Sequence, residues 1–228
     1  MVAPYYDADG ITIYHADCRD VLPVACAAIV VDPPYGIQWK RSVNLARWSK
    51  AHDGIDGDTD TGVRDGLLAV MADTPAIVFG SFYAPFPLSL KQVLIWHKPP
   101  DSGLVGCTTG FRRDAEPIFL VGPWPVRKVQ WSSVLRSSGQ SIKTVAIETG
   151  HPHTKPVDLL RQLIGVCPPG VICDPCMGTG STLVAAKLHG RKAIGIEVDE
   201  RYCEIAARRL AQRVLPLADD GDTILKLV

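Results

Sequence analysis

The chain changes rhythm about two-thirds of the way along. Up to residue 121 its apolar positions come in short, bounded runs that read as buried strands: ITIYH at 11–15, AAIVV at 27–31, AIVFG at 76–80, VLIWH at 93–97 and PIFLV at 117–121. The first two runs are followed closely by an acidic residue, Asp17 and Asp32, and the fifth stops at Gly122 and Pro123. From 156 onward the period lengthens. Residues 156–166 predict a helix with Pro156 at its start and Leu159, Leu160, Leu163 and Ile164 on one face. A strand (171–173), a glycine-rich turn, a helix (about 181–189) and a strand (192–196) follow. A last helix, from about 200, carries Tyr202, Ile205, Ala206, Arg209 and Leu210. Strands alternating with helices predict an α/β fold built on a parallel, doubly wound sheet. Two stretches break the pattern. Residues 36–66 are polar and rich in Gly and Asp, with a basic start at Lys40, Arg41, Arg47 and Lys50, and read as a long loop or lid. Residues 123–150 are irregular and carry Arg127, Lys128, Trp131 and Arg136 among serines. With no internal repeat and no low-complexity tract, residues 1–228 read as one domain.

Composition changes this picture little. At 228 residues, 46% hydrophobic and 21% charged, the chain has the make-up of a globular domain able to bury a core. Lys plus Arg equals Asp plus Glu at 24 each, so net charge argues neither for nor against a nucleic-acid partner. The longest apolar stretch, Val21 to Val31, is interrupted by Pro23 and too short to span a bilayer. The opening MVAPYYDADG lacks the basic start and apolar core of a signal peptide, and the seven cysteines have no framework spacing. The expectation is free thiols, a cytoplasmic setting and no membrane. Cys173 and Cys176 form a CxxC with no second pair at zinc-ligand spacing, so no metal is expected. His15, His52, His97 and His189 show no evident partner and read as structural or exposed.

The first candidate for chemistry is the turn from Asp174 to Thr182, DPCMGTGST, between a strand and a helix. Gly178 and Gly180 let the backbone pass close to a ligand, and the following helix start offers unpaired N–H groups. Glu197 closes the next strand 23 residues after Asp174, where a carboxylate can accept two hydrogen bonds from ribose hydroxyls. A P-loop is disfavoured because Ser181, not lysine, follows Gly180. A nicotinamide site would show a third glycine. S-adenosylmethionine, with a carboxylate and no phosphate, needs only the turn, the helix end and the acid. Glycines that merely turn the chain would look the same.

The second candidate is Asp32-Pro33-Pro34-Tyr35, placed directly after an apolar strand. Two prolines remove two backbone donors and hold the chain extended, so the Asp32 carboxylate and the Pro33 carbonyl can face one way as paired acceptors. An amino group on a base fits such a pair, and Tyr35 offers a flat face for stacking a heterocycle. An ordinary strand-ending turn would share these residues.

Together these motifs resemble the DNA amino-methyltransferases, in the permuted class whose catalytic motif precedes the cofactor motif. Asp32 to Tyr35 resembles the family's (D/N/S)PP(Y/F/W) motif in the form usual for adenine-N6 enzymes. His151 to Pro156 (HPHTKP) is similar to its HPxxKP segment, Asp174 to Thr182 to its DPFxGxGTT loop, and Gly195 to Glu197 to its GIE strand end. Ala16-Asp17 is similar to the Gly-Asp pair near the cofactor's adenine, and Trp96, Lys98 and Glu116 echo weaker family positions. The likeness is close over 151–213 and looser over 11–35 and 93–120. Two departures stand out: Cys176 where the family has phenylalanine, and Ser181 for a usual threonine.

The resemblance implies a Rossmann-like S-adenosylmethionine-dependent methyltransferase fold, mostly parallel with one antiparallel strand. It implies methyl transfer to adenine N6 in double-stranded DNA with the target base flipped out. Asp32, Pro33, Pro34 and Tyr35 would be catalytic. Asp17, Thr154, Lys155, Asp174, Cys176, Gly178, Gly180, Ser181 and Glu197 would hold the cofactor, with Thr154 and Lys155 near its carboxylate end. The 40–50 loop, Arg112-Arg113 and Arg127-Lys128 would grip DNA, and 123–150 would be a short target-recognition insert. Alternatives are cytosine N4 as the target, a base in RNA, or a non-catalytic DNA-binding relative, the last raised by Cys176. A homodimer is left open.

Overall fold

In the computed structural model the described residues are 2–38, 57–100, 102, 109–126, 131–137 and 154–212. The basic residues of the 40–50 loop, Arg127-Lys128, His52 and His151 to His153 lie outside them. The strands are β1 (Tyr6–Ala8), β2 (Ile11–His15), β3 (Ala28–Val31), β4 (Ala76–Phe79), β5 (Leu90–His97), β6 (Ala115–Val121), β7 (Val134–Arg136), β8 (Ile172–Asp174) and β9 (Ala193–Glu197). The helices are α1 (Cys18–Val21), α2 (Gly62–Val70), α3 (Val157–Val166), α4 (Ser181–Leu188) and α5 (Glu200–Ala211).

All nine strands join one sheet in the order β1-β2-β9-β8-β3-β4-β6-β5-β7. The block from β2 to β4 is parallel throughout. Strand β6 then runs antiparallel between β4 and β5, and β7 pairs parallel to β5. The single antiparallel strand expected is β6; β1, antiparallel to β2 at the opposite edge, is a second.

Residues on the central strands are buried on both faces, as a covered parallel sheet requires. Successive side chains alternate. Val30 and Phe79 join Ile11, Ile13 and the Leu159, Leu160, Leu163 and Ile164 stripe of α3 in one core layer. Ile29, Val31 and Val78 pack with Leu67 of α2 and Met71 in the other. The α3 stripe is the one its periodicity predicts.

Two expectations are corrected. The polar stretch 36–66 is not all loop, because its end enters α2, where Arg64 is buried and donates to the Pro85 carbonyl at 2.6 Å. Gly62 and Gly66 depress helix propensity there, and Leu67 is its only buried apolar residue. The irregular 123–150 stretch likewise contains β7, which β5 recruits by pairing.

Glycines on opposite sides of this frame respond differently to a methyl group. Gly180 has φ of +77°, and an added Cβ would meet the Ala206 Cβ of α5 at 2.7 Å. Gly180→Ala is expected to cost ~1–3 kcal/mol in urea unfolding. Gly66 sits inside α2 with open space around it. Gly66→Ala is expected to stabilise by ~0.5–1 kcal/mol. Equal responses at the two sites would contradict the packing described.

Candidate active site

The carboxyl ends of the parallel strands open on one cavity of about 980 Å³. Four adjacent strands each deliver a carboxylate to it. Asp17 follows β2, Glu197 ends β9, Asp174 ends β8 and Asp32 follows β3. Between β8 and β3 the winding reverses: from β8 the chain goes to β9 on one side, from β3 to β4 on the other. A crevice at such a reversal, outside the strands' carboxyl ends, is where open α/β sheets bind ligands.

Around Asp32 lies a compact charged cluster. The Tyr35 hydroxyl donates to Asp32 Oδ1 at 2.6 Å and lies 3.1 Å from Glu116 Oε1. Lys155 Nζ donates to Asp32 Oδ2 at 2.6 Å and lies 3.3 Å from Glu116 Oε1. Lys98 Nζ holds the other Glu116 oxygen at 2.6 Å. Glu116 reaches this edge because β6 is reversed: it is the second residue of its strand, paired across from Trp96 of β5. A backbone bond of 2.7 Å from the Lys98 amide to the Asp114 carbonyl closes the two strand ends. Burial alone would drive Lys155 down, but Asp32 and Glu116 outweigh it and hold its ammonium above the ordinary value. For Glu116 burial is outweighed by Lys155 and Lys98, which hold it below the usual range. Burial with both carboxylates nearby pushes the Tyr35 phenol well up. Lys155, expected beside a cofactor's carboxylate end, is thus bound into the Asp32 cluster. Pro33 is buried, and Pro33 and Pro34 line the cavity.

The glycine turn forms the neighbouring wall. Gly178 has φ of +51° and nothing within 4 Å of where a Cβ would stand, and its amide donates to Glu197 Oε2 at 2.9 Å. Glu197 Oε1 accepts from the Asp199 amide at 2.9 Å, and the Val198 amide adds a further backbone hydrogen bond, so the carboxylate is fixed in place. Burial raises Glu197, partly offset by those amides. Asp174 accepts from the Cys176 amide at 3.1 Å. Its burial pushes its carboxyl up to about 7, against the Thr182 hydroxyl and that amide, with Asp32 and Glu197 adding to the rise. Cys176 lines the cavity and its thiol donates a hydrogen bond to the Cys18 sulfur.

Not every predicted residue faces the ligand space in the same way. Gly180 is absent from the cavity lining and instead lets α4 approach α5. Ser181 Oγ accepts from Arg209 at 3.1 Å, and that guanidinium also holds the Thr179 carbonyl. Thr154 is buried, 3.4 Å from the Thr179 hydroxyl. Asp17 caps α1 and is held low by Arg19. Sequence reasoning missed Asp58, whose buried carboxylate accepts from the Gly36 amide at 2.7 Å and ties down the segment after Tyr35. It also missed Tyr83, which lies after β4 at the cavity with Arg113 5.5 Å from its ring. The signal available was position: like Asp32, Tyr83 follows the carboxyl end of a buried strand. Arg112, the other half of that basic pair, is paired with Asp114.

Comparison with known proteins adds the family. The Type II methyltransferase M2.LlaDCHI of Lactococcus lactis subsp. cremoris is 42% identical over 250 aligned residues, covering 92% of this chain and 93% of that one. The Type II methyltransferase M.ScaI of Streptomyces caespitosus is 38% identical over 82 residues, 35% of this chain. That alignment spans 27% of M.ScaI, about a quarter of its length. In fold the chain is similar to M1.HpyAVI, solved as a complex with SAM, at a TM-score of 0.58 and 21% identity over 89% of this chain and 100% of that one. A family model described as DNA methylase, covering N6 and N4 methyltransferases, matches residues 26–208, which include Asp32, Asp174 and Glu197. The chain therefore belongs to that DNA methylase family.

Proposed function

We propose that this chain transfers a methyl group from S-adenosylmethionine to the exocyclic amino group of a DNA base, with adenine N6 as the target. The observation that carries the reading is the shared cavity: the Asp32 cluster and the glycine turn follow adjacent strands, β3 and β8, Glu197 ends the next strand, β9, and all face one space. Its size suits a nucleoside cofactor together with an extruded base.

The residues fit the cofactor. Glu197 is fixed by backbone amides at the cavity wall, a carboxylate placed to accept from a ribose diol. Gly178 leaves its side of the turn open for close approach. Asp174, once ionised above about pH 7, supplies negative charge suited to a cationic ligand. When bound, S-adenosylmethionine supplies an electrophilic methyl on sulfur. The chain's part is to present a nitrogen lone pair to it. Adenine N6 is a poor nucleophile because its lone pair is delocalised into the ring. Hydrogen bonds accepted by Asp32 and the Pro33 carbonyl favour a tetrahedral nitrogen, an interaction stronger in the transition state than in the ground state. A methylated amino nitrogen must lose one proton, and Asp32, as its hydrogen-bond acceptor, would be the base placed to take it. No enzyme nucleophile is required, so the cysteines have no covalent role. Double-stranded DNA is the partner in this reading, with Arg113 and Tyr83 at the cavity. The Asp form of the motif favours adenine. Cytosine N4 is the second reading, because the matching family covers both amines.

Incubation of DNA with labelled cofactor, digestion and nucleoside mass spectrometry is expected to give N6-methyladenine. Asp32→Ala should lower the rate by ~10²–10⁴-fold with cofactor affinity retained. N4-methylcytosine as the product would move the target base, and absence of cofactor binding would leave only a DNA-binding role.

Asp174 gives a pH test. Its folded-state pKa, about 7, lies above the ordinary 3.8, so its contribution to stability is full below about 4 and lost as pH rises through about 7. Asp174→Asn should show a flatter stability profile in urea unfolding between pH 4 and 8. A cationic donor favours the ionised carboxylate, so donor affinity in wild type should rise through the same window and flatten in the variant. Parallel profiles for the two proteins would remove Asp174 from this role.

A further inference from the structure

The cluster around Asp32 poses a problem for amine binding. Both its carboxylate oxygens are engaged: Oδ1 by the Tyr35 hydroxyl and Oδ2 by Lys155 Nζ, each at 2.6 Å. A phenol donates one hydrogen, and an ammonium that close occupies the best acceptor direction. One lone pair remains on each oxygen, but a base amino group arriving at Asp32 meets a carboxylate whose charge both donors already draw on. The same two donors share a second acceptor. Glu116 Oε1 stands 3.1 Å from the Tyr35 hydroxyl and 3.3 Å from Lys155 Nζ. Glu116 is itself immobilised, its side chain 11% exposed and its other oxygen held by Lys98 at 2.6 Å. Phe79 closes another side of Lys155, its ring centre 4.9 Å from Nζ.

We propose that Glu116 is a positioning residue that takes the Tyr35 hydroxyl and the Lys155 ammonium from Asp32 when a substrate amine arrives, freeing Asp32 to accept from that amine. The inference rests on the reading of Asp32 as the amine acceptor. The exchange is short. Each donor moves from a 2.6 Å partner to one already within 3.3 Å, and no charge leaves the cluster. Two carboxylates, Asp32 and Glu116, face two ammonium groups, Lys155 and Lys98, before and after. Lys98 makes the exchange feasible, because without a second cation Glu116 would compete for Lys155 continuously. The neighbouring Asp174, on β8, accepts from the Cys176 amide rather than from these donors and stands outside the exchange.

The test compares two oligonucleotides: a thymine strand carrying one adenine, and the same strand carrying one purine that lacks the 6-amino group. Binding is measured with S-adenosylhomocysteine present, so that no methyl transfer intervenes. Wild type is expected to prefer the adenine strand by ~10-fold, the amine being received at Asp32. Glu116→Gln should reduce that preference to near unity, because Lys155 and Tyr35 then stay on Asp32. Glu116→Asp, which retains the charge, should keep a preference and shows whether the Gln effect is electrostatic. In the methyl-transfer assay Glu116→Gln should lower kcat ~10-fold or more with the KM for cofactor unchanged.

An undiminished preference in Glu116→Gln overturns the proposal, as does an equal weakening of both strands in both variants, which marks a purely structural residue. No preference in wild type overturns it together with Asp32 as the amine acceptor. Absence of methyl transfer with the preference pattern intact would sink the enzymatic reading alone, leaving the exchange standing.

Discussion

A parallel sheet whose winding reverses between β8 and β3 leaves an uncovered crevice, and everything functional in this chain depends on that gap. Strand ends there are buried on their faces but open at their tips. The residue at or just past each strand end therefore sits at the wall of a cavity. In this chain those residues are acidic on four adjacent strands. Gathering carboxylates in a half-buried place carries an electrostatic penalty, and the structure meets it in different ways. Asp17 is met by Arg19 and Asp32 by Lys155. Glu197 takes backbone amides. Asp174 has only an amide and a hydroxyl, and its carboxyl rises to about 7. The four solutions differ in kind: a guanidinium pair, an ammonium pair, backbone amides, and a carboxyl whose charge responds to pH.

The permuted order of motifs follows from the same frame. Strands β3 and β4, beside the Asp32 motif, precede β8 and β9, beside the glycine turn, in the chain, yet β3 and β8 are neighbours in the sheet. Either half could precede the other without changing the crevice, because within the sheet the β3–β8 pairing joins them. Lys155 crosses that seam from the segment before α3 to reach Asp32, binding the halves chemistry to chemistry as well as strand to strand.

Much of this is legible in the residues. The acid after a strand, the glycine turn and the acid closing the next strand are local patterns, and the structure gathers them at one cavity. The α3 stripe is legible because four large apolar residues fall on one face. What cannot be read depends on long-range pairing. Glu116 lies 81 residues from Tyr35 in sequence, and they meet only because β6 inserts between β4 and β5 in reverse. The role of Gly180 is set by Ala206 on a helix two elements later. Helix α2 hides among charges and glycines, and its buried Arg64 is satisfied by the Pro85 carbonyl across the fold. The β1 and β7 segments are three residues long, too short to carry a period of their own.

The bond from the Lys98 amide to the Asp114 carbonyl has a consequence for how such a scaffold can diversify. It cinches the hairpin at its neck, directly behind Glu116 and Lys98, so the strands' alignment is settled below the connection rather than by it. The ends of the connection are thereby held by the strands themselves, whatever the connection carries. Sequence there can lengthen, shorten or change character while Lys98 and Glu116 keep their places. A lineage could in this way alter what is admitted at the mouth and leave the reactive floor untouched.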